Sequence, residues 1–101
     1  MKVEILYFDG CPNWSEAGAL VRHAAVAAAL PEPEVTYRRV ETDAEAAALP
    51  FAGSPTILID GADAFGVEPV PRLACRIYPT PGGPAGLPTV EQLADALLGR
   101  R

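Results

Sequence analysis

Lys2 to Phe8 carries apolar groups on both faces, and that feature narrows the possible folds most. Val3, Ile5 and Tyr7 alternate with Leu6 and Phe8, so the segment reads as a strand with a packed layer on each side. Asp9-Gly10 ends the strand, and an apolar stripe of helical spacing follows: Trp14, Ala17, Val21, Ala24, Ala25 and Ala28. The small alanines allow close approach to a sheet. A helix is predicted up to about Leu30, stopping before Pro31. Its start has two readings. Pro12 fits the first helical position, because its missing N–H has no partner there anyway; alternatively Asn13 is the cap and Glu16 closes a capping box. Both readings put Cys11 at or beside the helix start, with its thiol in the first turn.

Glu34 to Glu41 alternates again and reads as a half-exposed strand. Thr42 and Glu45 have capping-box spacing for a short helix, Asp43 to Leu49, ended by Pro50. Thr56 to Ile59 reads as a buried strand closed by Asp60-Gly61. Arg72 to Tyr78 alternates, with Leu73, Cys75 and Ile77 on one face and Arg76 and Tyr78 on the other. It is expected to be an edge-like strand forming a hairpin with the buried one, Leu73 facing Ile59 and Cys75 facing Ile57. Pro79 to Pro88 is expected to be a loop. Thr89 with Gln92 caps a last helix whose stripe is Val90, Leu93, Leu97 and Leu98, and Gly99 ends it. The predicted fold class is α/β: order βαβαββα, a four-stranded mixed sheet with helices on both faces, in a single domain over residues 1–101.

The formal net charge of −5, from 13 acidic and 8 basic residues, and the isolation of the pairs Arg38-Arg39 and Arg100-Arg101 argue against nucleic-acid binding. No apolar run reaches membrane-spanning length. Met1-Lys2 leads straight into the first strand without the pattern of a secretory signal, so a cytoplasmic location is expected. In that compartment a pair of cysteines points to redox or metal chemistry, or to packing, more than to a staple.

Cys11 carries the chemical expectation. A thiol at the amino end of a helix lies in the positive end of the helix dipole, which favours the reactive thiolate. Its bland counterpart is a small apolar residue at a helix start. Cys75 alternates with Leu73 and Ile77, which favours core packing; a distal resolving thiol is the alternative. Trp14 reads as a core or pocket-lining aromatic, and His23, beside Arg22, as part of a solvated helix face. With no other histidine, no nucleophile–base pair can be read. Two cysteines and one histidine cannot fill a tetrahedral zinc site, and no metal site is expected. Two thiolates could hold a soft two-coordinate ion only if Cys11 and Cys75 meet.

The element order, Cys11-Pro12 after the first strand and Ser54-Pro55-Thr56 before the third together resemble the thioredoxin-like superfamily over about residues 2–99. The resemblance implies that Pro55 is cis and faces the active cysteine. It also implies that Pro55 and the backbone of Ser54 and Thr56 hold an extended thiol substrate, with Pro12 and Trp14 completing the substrate-binding set. The Cys-Pro start is similar to that of glutaredoxins, except that Trp14 stands where their second cysteine would be. Phe8 to Trp14, Gly53 to Gly61 and Cys75-Arg76-Ile77-Tyr78 are also similar to small bacterial thioredoxin-like proteins. Some of these carry names borrowed from alkylmercury lyase, for which Asp9 is the nearest acidic partner here. The expected function is thus a monothiol oxidoreductase acting through Cys11, with a thiol or disulfide, small or protein, as substrate. It needs no bound cofactor; glutathione, another thiol or Cys75 releases the mixed disulfide, and no internal disulfide is expected. The alternatives are a binding module for a soft metal or partner peptide, and an organomercury-processing protein.

Overall fold

The computed structural model describes residues 1–99; Arg100 and Arg101, one of the two arginine pairs, lie outside the described residues. The first strand, β1 (Lys2–Tyr7), is central. It pairs in parallel with β2 (Glu34–Arg39), Val3 facing Val35, and antiparallel with β3 (Thr56–Ile59), Val3 facing Ile59. A two-residue strand β4 (Ala62–Asp63) completes the sheet, in the order β2-β1-β3-β4. Among the described residues three helices pack around it: α1 (Trp14–Ala27), α2 (Asp43–Ala48) and α3 (Val90–Leu97).

The two-faced pattern of β1 is satisfied by two separate clusters. Val3 and Ile57 pack with Val21, Ala24 and Ala25 of α1 and Leu93 and Leu97 of α3. On the opposite face Leu6 and Leu58 pack with Val40, Ala46 of α2 and Phe51. Burying side chains of this size stabilises by about 1.5–3 kcal/mol each. The domain is therefore α/β, with a four-stranded mixed sheet and helices on both faces. Among the described residues no helix is long and apolar enough to cross a membrane.

Four local expectations need correction. First, the fourth strand is not Arg72 to Tyr78. Asp60 and Gly61 take positive φ, 48° and 89°, and form a two-residue turn that brings Ala62 opposite Ile59. The edge of β3 is filled by the residues immediately after the turn. Second, the stretch expected to be a loop contains a small hairpin, β5 (Tyr78–Thr80) with β6 (Gly83–Ala85). Gly83, at φ 110°, permits the return.

Third, α1 ends at Ala27 rather than Leu30. Ala29 turns left-handed at φ 56°, its N–H bonds the Val26 carbonyl, and the Leu30 N–H bonds that of Ala25. This closure uses the carbonyls that would continue the helix. Fourth, α1 begins with Asn13 as its cap, in a left-handed conformation (φ 80°) and with no side-chain capping bond. The expected box with Glu16 does not form, Pro12 precedes the cap, and Cys11 lies two residues ahead of it rather than in the first turn. The other helices start as their sequences indicate. Thr42 accepts from the Glu45 N–H, and Thr89 and Gln92 form a complete capping box.

Candidate functional site

Cys11 and Cys75 are joined by a disulfide, their Cα atoms 5.6 Å apart and 64 residues separated in sequence. The expectation of a lone thiol without an internal bridge is thereby corrected. It rested on the alternation of Cys75 with Leu73 and Ile77, which favoured burial of Cys75 in the core. The edge of β3 is taken by β4, opposite Leu58 and Ile59, and the Cys75 segment instead meets the chain just before β3, at Ser54.

The contact that guides this segment is a single parallel bridge between Ser54 and Cys75. The Ser54 N–H donates to the Ala74 carbonyl at 2.8 Å, and the Arg76 N–H donates to the Ser54 carbonyl at 3.1 Å. Gly53 makes the approach possible. It sits at φ 99°, and a Cβ there would lie 2.8 Å from Arg76 Cβ and 2.9 Å from Arg76 Cα, closer than atoms can pack. The Leu73 N–H donates to the Asp43 carboxylate at 2.8 Å and anchors the segment's amino end.

The inward and outward faces of this segment are the reverse of the expected ones. Arg76 and Tyr78 point inward, whereas Ile77 is 71% exposed and Cys75 is exposed. The cause is a buried ion pair. Arg76 donates from Nη1 to Asp63 Oδ1 at 2.5 Å and from Nη2 to Oδ2 at 3.1 Å, and the two side chains are 4% and 8% exposed. Asp63 also accepts from the N–H groups of Phe65 and Val67. The Arg76 guanidinium lies 4.4 Å from the centre of the Tyr78 ring. The Tyr78 hydroxyl donates to the Pro55 carbonyl at 2.5 Å. Burial pushes the Tyr78 hydroxyl well above its ordinary range; the Arg76 charge opposes this and the Asp63 charge adds to it.

The Ser54–Pro55 peptide bond is cis. Three of the backbone groups expected to hold a substrate are already bonded: the Ser54 N–H and carbonyl to residues 74 and 76, the Pro55 carbonyl to Tyr78. The side chains are also engaged. Ser54 Oγ accepts from the Phe8 N–H at 3.1 Å and donates to the Phe8 carbonyl at 3.4 Å. Thr56 Oγ1 accepts from the Ala52 N–H at 2.8 Å and donates to the Gly53 carbonyl at 2.5 Å. Thr56 lies within β3, facing Leu6. Ser54 and Thr56 thus tie the loop to the sheet.

Pro12 is exposed at the turn before α1. Trp14 stacks on Tyr7 with ring centres 4.0 Å apart and meets the edge of Tyr37 at 6.0 Å. It is half-buried in that aromatic group. His23 is exposed on α1. Asp9 forms an exposed ion pair with Arg39.

Sequence reasoning missed Asp63, Arg76 and Tyr78. The signal for Asp63 was Asp60-Gly61, which specifies a tight hairpin and so places Asp63 opposite Leu58. The partnership with Arg76 had no local signal. A cavity of about 340 Å³ opens beside Cys75, walled by Phe65, Val67, Ile77 and Tyr78. Cys11 is only 2% exposed. Among the described residues no cluster of three His, Cys, Asp or Glu side chains is placed to hold a metal ion. The chain matches no protein-family model, no curated protein and no solved structure.

Proposed function

We propose that this domain is a cytoplasmic thiol–disulfide oxidoreductase of thioredoxin-like type, working through Cys11 and Cys75 as a redox pair. The observation that carries the reading is the bond between a cysteine just ahead of α1 and one in an exposed segment beside Ser54. A staple buried on both sides would be inert; this bridge has one accessible end. The resemblance of the element order and of the Cys-Pro and Ser-Pro-Thr junctions to the thioredoxin-like superfamily supports the same reading. With the bridge present, the reading changes from a monothiol to a distal two-cysteine form, in which Cys75 replaces the cysteine that Trp14 displaces.

The chemistry is a two-electron exchange. When a thiol opens the bridge, it bonds to one of the two cysteine sulfurs and the other leaves as the thiolate. In the reverse direction that thiolate attacks the mixed disulfide on its partner cysteine and expels the thiol. The bond then re-forms at a Cys75 whose segment Arg76, Asp63 and Tyr78 hold in place. The test is turnover of a mixed-disulfide substrate in a coupled glutathione assay. Activity lost in both Cys11→Ser and Cys75→Ser supports the reading. No turnover, with a bridge that never reduces under native conditions, counts against it.

One observation favours a second reading. Cα atoms 5.6 Å apart would let the reduced pair bind a soft two-coordinate ion. Stoichiometric uptake of such an ion by the dithiol, without turnover, would support a binding module. Organomercury processing has less support, because the carboxylate of Asp9 is turned to Arg39.

A further inference from the structure

We propose that exchange begins at Cys75 rather than Cys11, and that the attacking group is a small apolar thiol seated in the cleft beside Cys75. The inference rests on the reading of the pair as a redox centre, and it specifies which sulfur is attacked and what attacks it.

A thiolate attacks a disulfide at one sulfur, in line with the bond it breaks, and the other sulfur departs. Access behind each sulfur therefore selects the electrophile. Cys11 is 2% exposed, whereas Cys75 is exposed and lines the cavity of about 340 Å³. An attacker in that cavity reaches Cys75 first.

The walls choose the attacker. Phe65, Val67, Ile77 and Tyr78 are apolar or aromatic, and Ile77 and Val67 are 71% and 47% exposed there. Among the described residues the one charged lining side chain, Arg76, is neutralised by Asp63. Among the described residues the cleft offers no free cation to an anionic thiol, and a net charge of −5 further disfavours one. A protein cysteine on an extended strand is disfavoured for a different reason. The backbone groups of Ser54 and the Pro55 carbonyl that would pair with it are bonded to residues 74, 76 and 78. A volume of this size suits a small molecule.

The step balances without any further reactant. The thiolate R–S⁻ forms a bond to Cys75 Sγ, the Cys11–Cys75 bond breaks, and its electron pair leaves on Cys11 Sγ. A second molecule of the same thiol attacks the outer sulfur of the mixed disulfide. It releases R–S–S–R and leaves Cys75 as a thiolate that takes a proton from water. Two thiols are oxidised and one bridge is reduced.

The experiment treats the oxidised full chain with 2-phenylethanethiol, with 2-mercaptoethanol, or with a short cysteine peptide, at equal thiolate concentrations. Early samples are quenched in acid, alkylated and mapped by mass spectrometry. The expected result is the thiol adduct on Cys75 and the alkyl label on Cys11. The apolar thiol is expected to react about tenfold faster than 2-mercaptoethanol. Ile77→Ser should shrink that ratio, whereas Val26→Ser, on the exposed face of α1, should leave it unchanged. An adduct on Cys11, equal rates for the two small thiols, or a faster reaction with the peptide would overturn the proposal while leaving the redox reading intact. A bridge that stays shut to all three and to dithiothreitol would overturn the redox reading, and the proposal with it.

Discussion

Arg76 donates to both carboxylate oxygens of Asp63, and through this pair the residue next to Cys75 is fixed to the end of the sheet. The pair is out of water, so removing one partner leaves a buried charge. Asp63→Ala is expected to destabilise the fold by about 3 kcal/mol, as read from urea unfolding at neutral pH. It should also speed reduction of the bridge by dithiothreitol, because Cys75 loses its anchor.

The same pair sets part of the acid response. Burial alone would raise the Asp63 carboxyl, but the hydrogen bonds and charge of Arg76 and the amides of Val67 and Phe65 outweigh it. The group is held below its ordinary value. In the unfolded chain it titrates near the free value of about 3.9. Its contribution is therefore complete at neutral pH and is lost as pH falls from about 5 down through the lowered folded value. Urea midpoints measured between pH 7 and pH 3 should show this loss in the wild type and a shallower one in Asp63→Asn.

Gly53→Ala tests the close approach of the Cys75 segment. The new methyl would meet Arg76 at its Cα and Cβ, on a backbone with φ 99°. A cost of about 1–3 kcal/mol is expected. Faster opening of the disulfide should accompany it, measured by alkylation after a brief dithiothreitol pulse.

Reduction itself should cost stability. The bridge closes a loop spanning 64 residues, for which chain entropy gives about 4 kcal/mol. Calorimetry of oxidised and reduced protein should show a lower Tm for the reduced form. Cys75→Ser should match the reduced wild type under either condition.

The local rules read well from this sequence where a residue decides its own neighbourhood. Thr89 and Gln92 specify the start of α3, and the two-faced pattern of β1 specifies a sheet packed on both sides. The same rules failed at residues 72–78. Alternation there placed Ile77 inside and Arg76 outside, because an arginine in a short segment ordinarily faces water. Its inward turn depends on Asp63, thirteen residues earlier, and on Gly53, which lets the two backbones touch. Cys75 was misplaced for the same reason. Its encounter with Cys11 follows from the segment's path along Ser54, and no periodicity encodes that path.

The most direct test of the account is the reduction potential of the Cys11–Cys75 bond in the native chain, measured by equilibration with thiol buffers and mass spectrometry of the alkylated protein. A working pair is expected between about −270 and −120 mV, the range of thiol–disulfide oxidoreductases. A potential below about −300 mV would mark the bridge as a structural staple and would contradict the account.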